Sequence, residues 1–348
     1  MGRSLRALIL SLVFLLTAGI QQASAISFAL DSIAAWGKFP NFCIGVYRWG
    51  DKFFNTYDST YVQGTGYKFN GKVTADSWMD VYNFRLPNNT NINMHSDAST
   101  SMGLHLTYLA VSVGYDVNFS KLFGGPDRSR QRLRFGFNCA LFAAEAYLSK
   151  NDVGAHMTRF GGYRLSQPFH GINNESWGLD VYYFFNNKRY SEAAAFNYSK
   201  LQLQSQGSWC AGLSLYSQKL DFDFSELPKF MRDELPTDWV DYHYRVDTDN
   251  YAIRFGYGYN WVFHEGWLLG VSETPIVGLR KGYINEAERK WSMSVYNRFK
   301  ASIVWNSGRW FAGATLRFDA ALISNKQTFY AGGVLSGEAA VGYRFNLW

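Results

Sequence analysis

The chain is short of the residues that build a disulfide-tied, metal-built or highly charged protein. Of its 348 residues only 18% are charged, seven are proline and three are cysteine. So little charge excludes a disordered polyelectrolyte. Cys43, Cys139 and Cys210 are odd in number, so at least one thiol stays unpaired, and no cysteine or histidine spacing fits a metal site. The strand phases derived below put Cys139 and Cys210 on opposite faces of a sheet, which argues against a disulfide between them. No clustered basic patch suits nucleic acid, and no motif calls for a cofactor. After residue 25 no apolar run approaches the roughly 20 residues of a membrane-spanning helix.

What the chain does have begins at its start. Arg3 and Arg6 precede an apolar run over 7–20 and then Ala23-Ser24-Ala25. That order of positive, apolar and small residues predicts a secretory leader cut after Ala25. Loss of Arg3 and Arg6 takes the formal charge from +6 to +4. Aromatic residues make up 18% of the chain and glycines number 32, which suits extended strands with a large apolar surface to cover.

Between 251 and 263, Tyr251, Ile253, Phe255, Tyr257, Tyr259, Trp261 and Phe263 alternate with Ala252, Arg254, Gly256, Gly258, Asn260 and Val262. A helix would scatter these rings around its circumference, whereas a strand gathers them on one face. The same period recurs through Trp291, Met293 and Val295 to Trp305, and through Trp310, Ala312, Ala314, Leu316 and Phe318. These runs outlast the strands of ordinary sheets, at about 5–6 residues, and match the about 9–11 that a tilted strand needs to cross a bilayer.

Energetics assign the faces. An arginine turned to lipid near the midplane costs about 2–4 kcal/mol, so the polar set turns inward, and lipid offers no partner to a free edge, so the sheet closes. The expected lumen-facing residues are Arg132, Arg134, Glu145, Arg254, Asn260, Arg298, Lys300, Arg317 and Asp319. The fold class is therefore all-β, a closed antiparallel transmembrane β-barrel of about 12 strands, within a range of 10–14. Its expected place is the cell outer membrane, among outer-membrane lipid and lipopolysaccharide. The C-terminal run Val341, Tyr343, Phe345 and Leu347, ending on Trp348, resembles the strand read by the outer-membrane assembly machinery.

Thirteen candidate strands can be counted, and bacterial single-chain barrels are normally even. The alternation weakens over 191–204, where Ala193-Ala194-Ala195 interrupts it, and changes phase near Tyr108 and Leu141. A turn or a bulge explains each phase change, and one irregularity at these places reduces the count to twelve. The long polar connections 121–130, 151–175 and 221–249 are read as outer loops, with a helical turn over 225–235. The organisation expected is a leader over 1–25, a periplasmic segment over 26–66 with a short helix at 28–36, and the barrel over 67–348.

Several blocks carry a family resemblance. They are Asp58-Ser59-Thr60-Tyr61-Val62, the run from Tyr182 to Ser191, Ala193 to Ser199, Gln206-Gly207-Ser208-Trp209 and Gly256 to Phe263. Together, over nearly the whole mature chain, they resemble the exported Bacteroidota family known as domain of unknown function 4421. The resemblance implies an outer-membrane barrel and brings no activity and no functional residues.

Three functional readings stay open. The barrel is structural or surface-binding with a closed, charged lumen, its glycan or protein ligand unspecified; or its positive lumen makes an anion-biased pore; or it modifies lipid. The last needs a nucleophile and a base, and His95, His105, His156, His170, His243 and His264 fall in no nucleophile motif, while Ser208 reads as an ordinary strand start.

Overall fold

The computed structural model describes residues 56–85, 90–96, 98–118, 130–151, 154–235, 243–284, 290–324 and 329–347. The leader, its cut after Ala25, the helix expected at 28–36, Cys43 and Trp348 lie outside the described residues. Phe54–Phe345 forms one compact unit.

The period-two runs are strands, in the order β1 (Val62–Gly64), β2 (Phe69–Arg85), β3 (Asn91–Ser96), β4 (Ser99–Tyr108), β5 (Val111–Asn118) and β6 (Arg130–Asn138). Next come β7 (Phe142–Asn151), β8 (Ala155–Phe160), β9 (Tyr163–Phe169), β10 (Ile172–Phe184), β11 (Lys200–Gln202) and β12 (Gln206–Asp223). The chain finishes with β13 (His243–His264), β14 (Trp267–Ile284), β15 (Lys290–Ser307), β16 (Trp310–Ser324) and β17 (Phe329–Phe345). Among the described residues two short helices are α1 (Glu192–Phe196) and α2 (Lys229–Arg232).

Twelve strands make the wall, in the order β2-β4-β5-β6-β7-β10-β12-β13-β14-β15-β16-β17, and β17 pairs back onto β2. Every neighbour is antiparallel, so each wall strand has a partner on both sides and no edge is left for lipid. Both phase changes are hairpins, between β4 and β5 and between β6 and β7. The odd candidate is 191–204, which is α1 followed by the three-residue β11 rather than a wall strand. Cys139 sits in the β6–β7 turn, not on a strand face, and donates its thiol to the Phe142 carbonyl at 3.2 Å; it and Cys210 are both free and buried.

In β13 burial alternates without a break from Tyr251 to Asn260, odd residues exposed and even residues buried. Rings gather in two belts on the outer surface. Trp261, Phe263 and Trp267 meet at the short-turn end, with Trp310 against Tyr343, and Tyr251 meets Trp291 toward the other end. Aromatic belts bounding an apolar band are what a bilayer's two interfaces select. Gly266 (φ +74°) and Gly308 (φ +59°) close tight turns at the first belt, in a conformation other residues rarely adopt.

At the long-connection end, β2 outruns β4. Its last residues pair with β3, which continues into β8 and β9, so part of the 151–175 connection expected as an outer loop joins β3 in a small sheet above the short strands β4–β7. Ile92, Met94, Met157, Phe160, Phe222 and Met231 form a core there with the turn at Phe224–Glu226 and α2. The helical turn expected over 225–235 is thus present.

Candidate functional site

The most unusual part of the chain is the connection between β10 and β12, which turns into the barrel at its short-turn end. Asn186 starts it: its backbone N–H donates to Ser208 Oγ at 2.9 Å and its side-chain amide to the Gly207 carbonyl at 2.8 Å. Ser191 then caps α1 by accepting from the Ala194 N–H at 3.3 Å. Alanine is the best helix former and a poor strand former, so Ala193-Ala194-Ala195 takes one helical turn where a wall strand fails. These three alanines, Tyr190 and Tyr198 are each at most 1% exposed.

Wall residues hold this plug at several points. Asn260 donates to the Ser191 carbonyl at 2.9 Å and to Gln202 Oε1 at 3.1 Å; Gln202 in turn donates to the Arg189 carbonyl at 2.6 Å. Lys300 forms an ion pair with Glu192, whose other oxygen accepts from the Tyr190 hydroxyl at 2.8 Å. Arg344, 1% exposed, donates to the carbonyls of Tyr198 and Gly308, each at 2.8 Å, and lies 4.6 Å from the Phe311 ring centroid. Tyr198 has φ +59°, a strained backbone for a bulky residue, and the Arg344 contacts with its ring's stacking on Phe311 at 4.9 Å hold it there. Room for the plug comes from glycines: a Cβ on Gly270 would stand 2.6 Å from the Ala195 Cβ, and one on Gly313 2.7 Å from the Tyr198 ring.

The segment before the wall closes over the same place. β1 pairs with β11, and Asp58 turns the chain by accepting from both the N–H and the hydroxyl of Thr60. The Thr60 hydroxyl, its N–H and the nearby Arg189 hold the Asp58 carboxyl below the usual carboxylate range. All five sequence blocks that carried the family resemblance therefore meet at the plug.

Farther along the lumen the charges are paired. Asp180 lies between Arg254 (2.9 Å) and Arg298 (2.5 Å); Arg298 also meets Asp319 at 2.6 Å, Arg317 meets Asp319 at 2.6 Å, and Arg317 reaches Glu145 at 3.4 Å. A second cluster joins Arg134 to Asp116 (2.8 Å), Glu338 (3.0 Å) and Asp76 (3.4 Å), with Lys72 on Glu338 and His105 on Asp116. Two cavities of about 180 and 170 Å³ share Arg132, Arg317 and Ser336 in their linings.

Of the nine residues expected in the lumen, the structure brings Glu145, Arg254, Arg298, Arg317 and Asp319 into one network and places Arg134 in the other. Lys300 and Asn260 sit on the plug, and Arg132 rests over the Tyr147 ring at 5.0 Å. Sequence reasoning missed Asp180, Asp116, Glu192 and Arg344. Asp180 and Arg344 stand on the inward parity of β10 and β17, so the same alternation exposes them; Glu192, in a non-strand segment, carries no such signal. The Ser208 hydroxyl is occupied by backbone, accepting from Asn186 and donating to the Trp209 carbonyl at 2.8 Å. His156 stacks on His95 in the outer sheet, with ring centroids 6.1 Å apart. Among the described residues no cluster of His, Cys, Asp and Glu is arranged to hold a metal ion.

A closed twelve-stranded barrel with an apolar outer band, two aromatic belts and a charged interior is an outer-membrane β-barrel. The chain belongs to the family described as Domain of unknown function (DUF4421), whose model matches residues 56–345. No protein of curated function matches it. Among solved structures it is similar to the translocator domain of the autotransporter NalP from Neisseria meningitidis, at 12% identity and TM-score 0.43, covering 92% of this chain and 100% of that one. It is also similar to the outer membrane protease OmpT from Escherichia coli, at 6% identity and TM-score 0.35, covering 80% and 96% of the two chains. The β domain of the Bordetella autotransporter BrkA aligns at 11% identity and TM-score 0.33, covering 79% and 99%.

Proposed function

We propose that this protein is a closed outer-membrane barrel that acts through its surfaces, as a structural or binding element, rather than as a passage for solutes. The observation that carries this reading is the plug. A diffusion pore gains nothing from a connection turned into its lumen and held there by buried groups of three wall strands, Asn260, Lys300 and Arg344. The paired clusters around Asp180 and Arg134 support it, because carboxylates answer the inward arginines and little net positive field is left to select anions. The outer sheet and its core give the long-connection end a folded surface on which a glycan or protein can dock. Purified barrel in planar bilayers tests the reading: no channel events are expected, and steady conductance of the unaltered protein overturns it.

A further inference from the structure

The outward side chains of β14 and β15 form an apolar face with one interruption. On β14 they run Trp267, Leu269, Val271, Glu273, Pro275, Val277 and Leu279, and on β15 Met293, Val295, Asn297, Phe299, Ala301 and Ile303. Glu273 is exposed on this face, and Asn297, diagonal to it across the strand pair, donates its side-chain amide to Glu273 Oε1 at 2.9 Å. The depth of this pair follows from the belts. Along β14 Glu273 is six residues from Trp267 and eight from Lys281, which covers Trp291 of the other belt. At about 3.3 Å per residue and about 40° of tilt, those are heights of about 15 and 20 Å. The carboxylate stands near the middle of the hydrocarbon band, where an ionisable side chain facing lipid is costly and marks a function.

Next to it Pro275 has no N–H to give. The pairing of β13 with β14 lapses there, between Arg254↔Ile276 and Tyr257↔Glu273. A polar pair, a proline and a gap in the ladder thus coincide on an otherwise apolar wall.

We propose that this face is where a second copy of the chain docks within the membrane. Donor and acceptor stand side by side, so the patch is complementary to itself. Copies inserted in the same direction are related by a two-fold axis along the membrane normal, which preserves height and exchanges left for right. With the axis between Glu273 and Asn297, each Asn297 offers its second N–H to the other copy's carboxylate, and each Glu273 accepts on the oxygen that has no partner among the described residues. Lipid tails offer neither. Val277 and Val295, opposite each other on the neighbouring strands and both exposed, pack beside the pair.

The test is cross-linking in native outer membranes. Val277→Cys is made in a cysteine-free background and treated with a short bis-maleimide, and Leu104→Cys, an exposed position on β4, serves as the off-face control. A cross-linked species of twice the monomer mass is expected for Val277→Cys and not for Leu104→Cys. Adding Glu273→Leu or Asn297→Leu removes it, while the heat-dependent gel shift of a folded barrel is retained. The proposal is overturned if Val277→Cys stays monomeric or joins a different protein, if both positions cross-link alike, or if Glu273→Leu leaves the dimer intact. Conductance is read in a separate experiment, so a closed monomer and an open dimer are distinguishable results.

Discussion

Asn260, on a wall strand, donates to the Ser191 carbonyl at 2.9 Å, 69 residues away in sequence, and so ties the first turn of the plug to the barrel. Its side chain is 0% exposed, and the same amide serves Gln202, which carries the connection back toward the wall. Replacing it by leucine leaves the Ser191 carbonyl and Gln202 Oε1 short of a buried donor, at a cost of about 1–3 kcal/mol. Asn260→Leu is expected to lower the midpoint of urea unfolding in lipid vesicles and to expose the 187–205 connection to protease added from the short-turn side. Unchanged protection of that connection would falsify its role as an anchor.

Space makes an independent prediction. Gly270 and Gly313 leave room for Ala195 and Tyr198, and valine at 270 or leucine at 313 drives a side chain into them. Gly270→Val and Gly313→Leu are expected to give channel events in planar bilayers while still inserting as barrels. Gly337→Ala, where nothing lies within 4 Å of the added Cβ, keeps the behaviour of the unaltered chain.

The two kinds of residue in these experiments were unequally legible in the sequence. The wall was readable because a strand's period of two is local: the face from Tyr251 to Phe263, the inward Arg254 and the two phase changes follow from neighbours alone, whereas the choice of hairpin over bulge at each needs the strand pairing. The odd candidate over 191–204 was visible as a flaw in the alternation. That it enters the lumen depends on Lys300, Arg344 and glycines far away in sequence, which no local pattern joins to it. The ion partners divide similarly. Asp180 shares the parity of an inward set, whereas its pairing with Arg298, 118 residues on, is a property of closure. The small outer sheet escaped because β3, β8 and β9 are six or seven residues long and lie within polar connections.

Acid has a signed effect at the short-turn end. The Asp58 carboxyl is held below its ordinary value by the Thr60 hydroxyl first, then by the Thr60 N–H and Arg189. A group depressed in the folded state favours folding above its unfolded pKa, about 3.9, and that contribution fades as pH falls through the lower, folded value. Hydrogen exchange of the Thr60 amide is expected to stay slow at pH 5 and to quicken, relative to the intrinsic rate, as pH falls through the lowered folded value of Asp58. Asp58→Asn, which keeps an acceptor oxygen without the charge, removes the pH dependence.

Asp180 is the hinge of the larger ion network, since Arg254 and Arg298 both lie within 2.9 Å of it and the Ser214 hydroxyl donates to it at 2.5 Å. Taking away its charge leaves two guanidinium groups facing each other in a buried site, and breaking a buried pair from one side costs about 3–5 kcal/mol. Asp180→Asn should therefore be among the most damaging single substitutions in the lumen, measured as loss of unfolding free energy in vesicles. Arg298 keeps Asp319 as a partner, so the damage should be relieved when Arg254 is also replaced. Arg254→Met in the Asp180→Asn background is accordingly expected to recover part of the lost stability, although Arg254→Met alone destabilises. A purely additive double variant would show that the two side chains do not interact, and an interior held by mutual pairing of its charges would then have no energetic basis at Asp180.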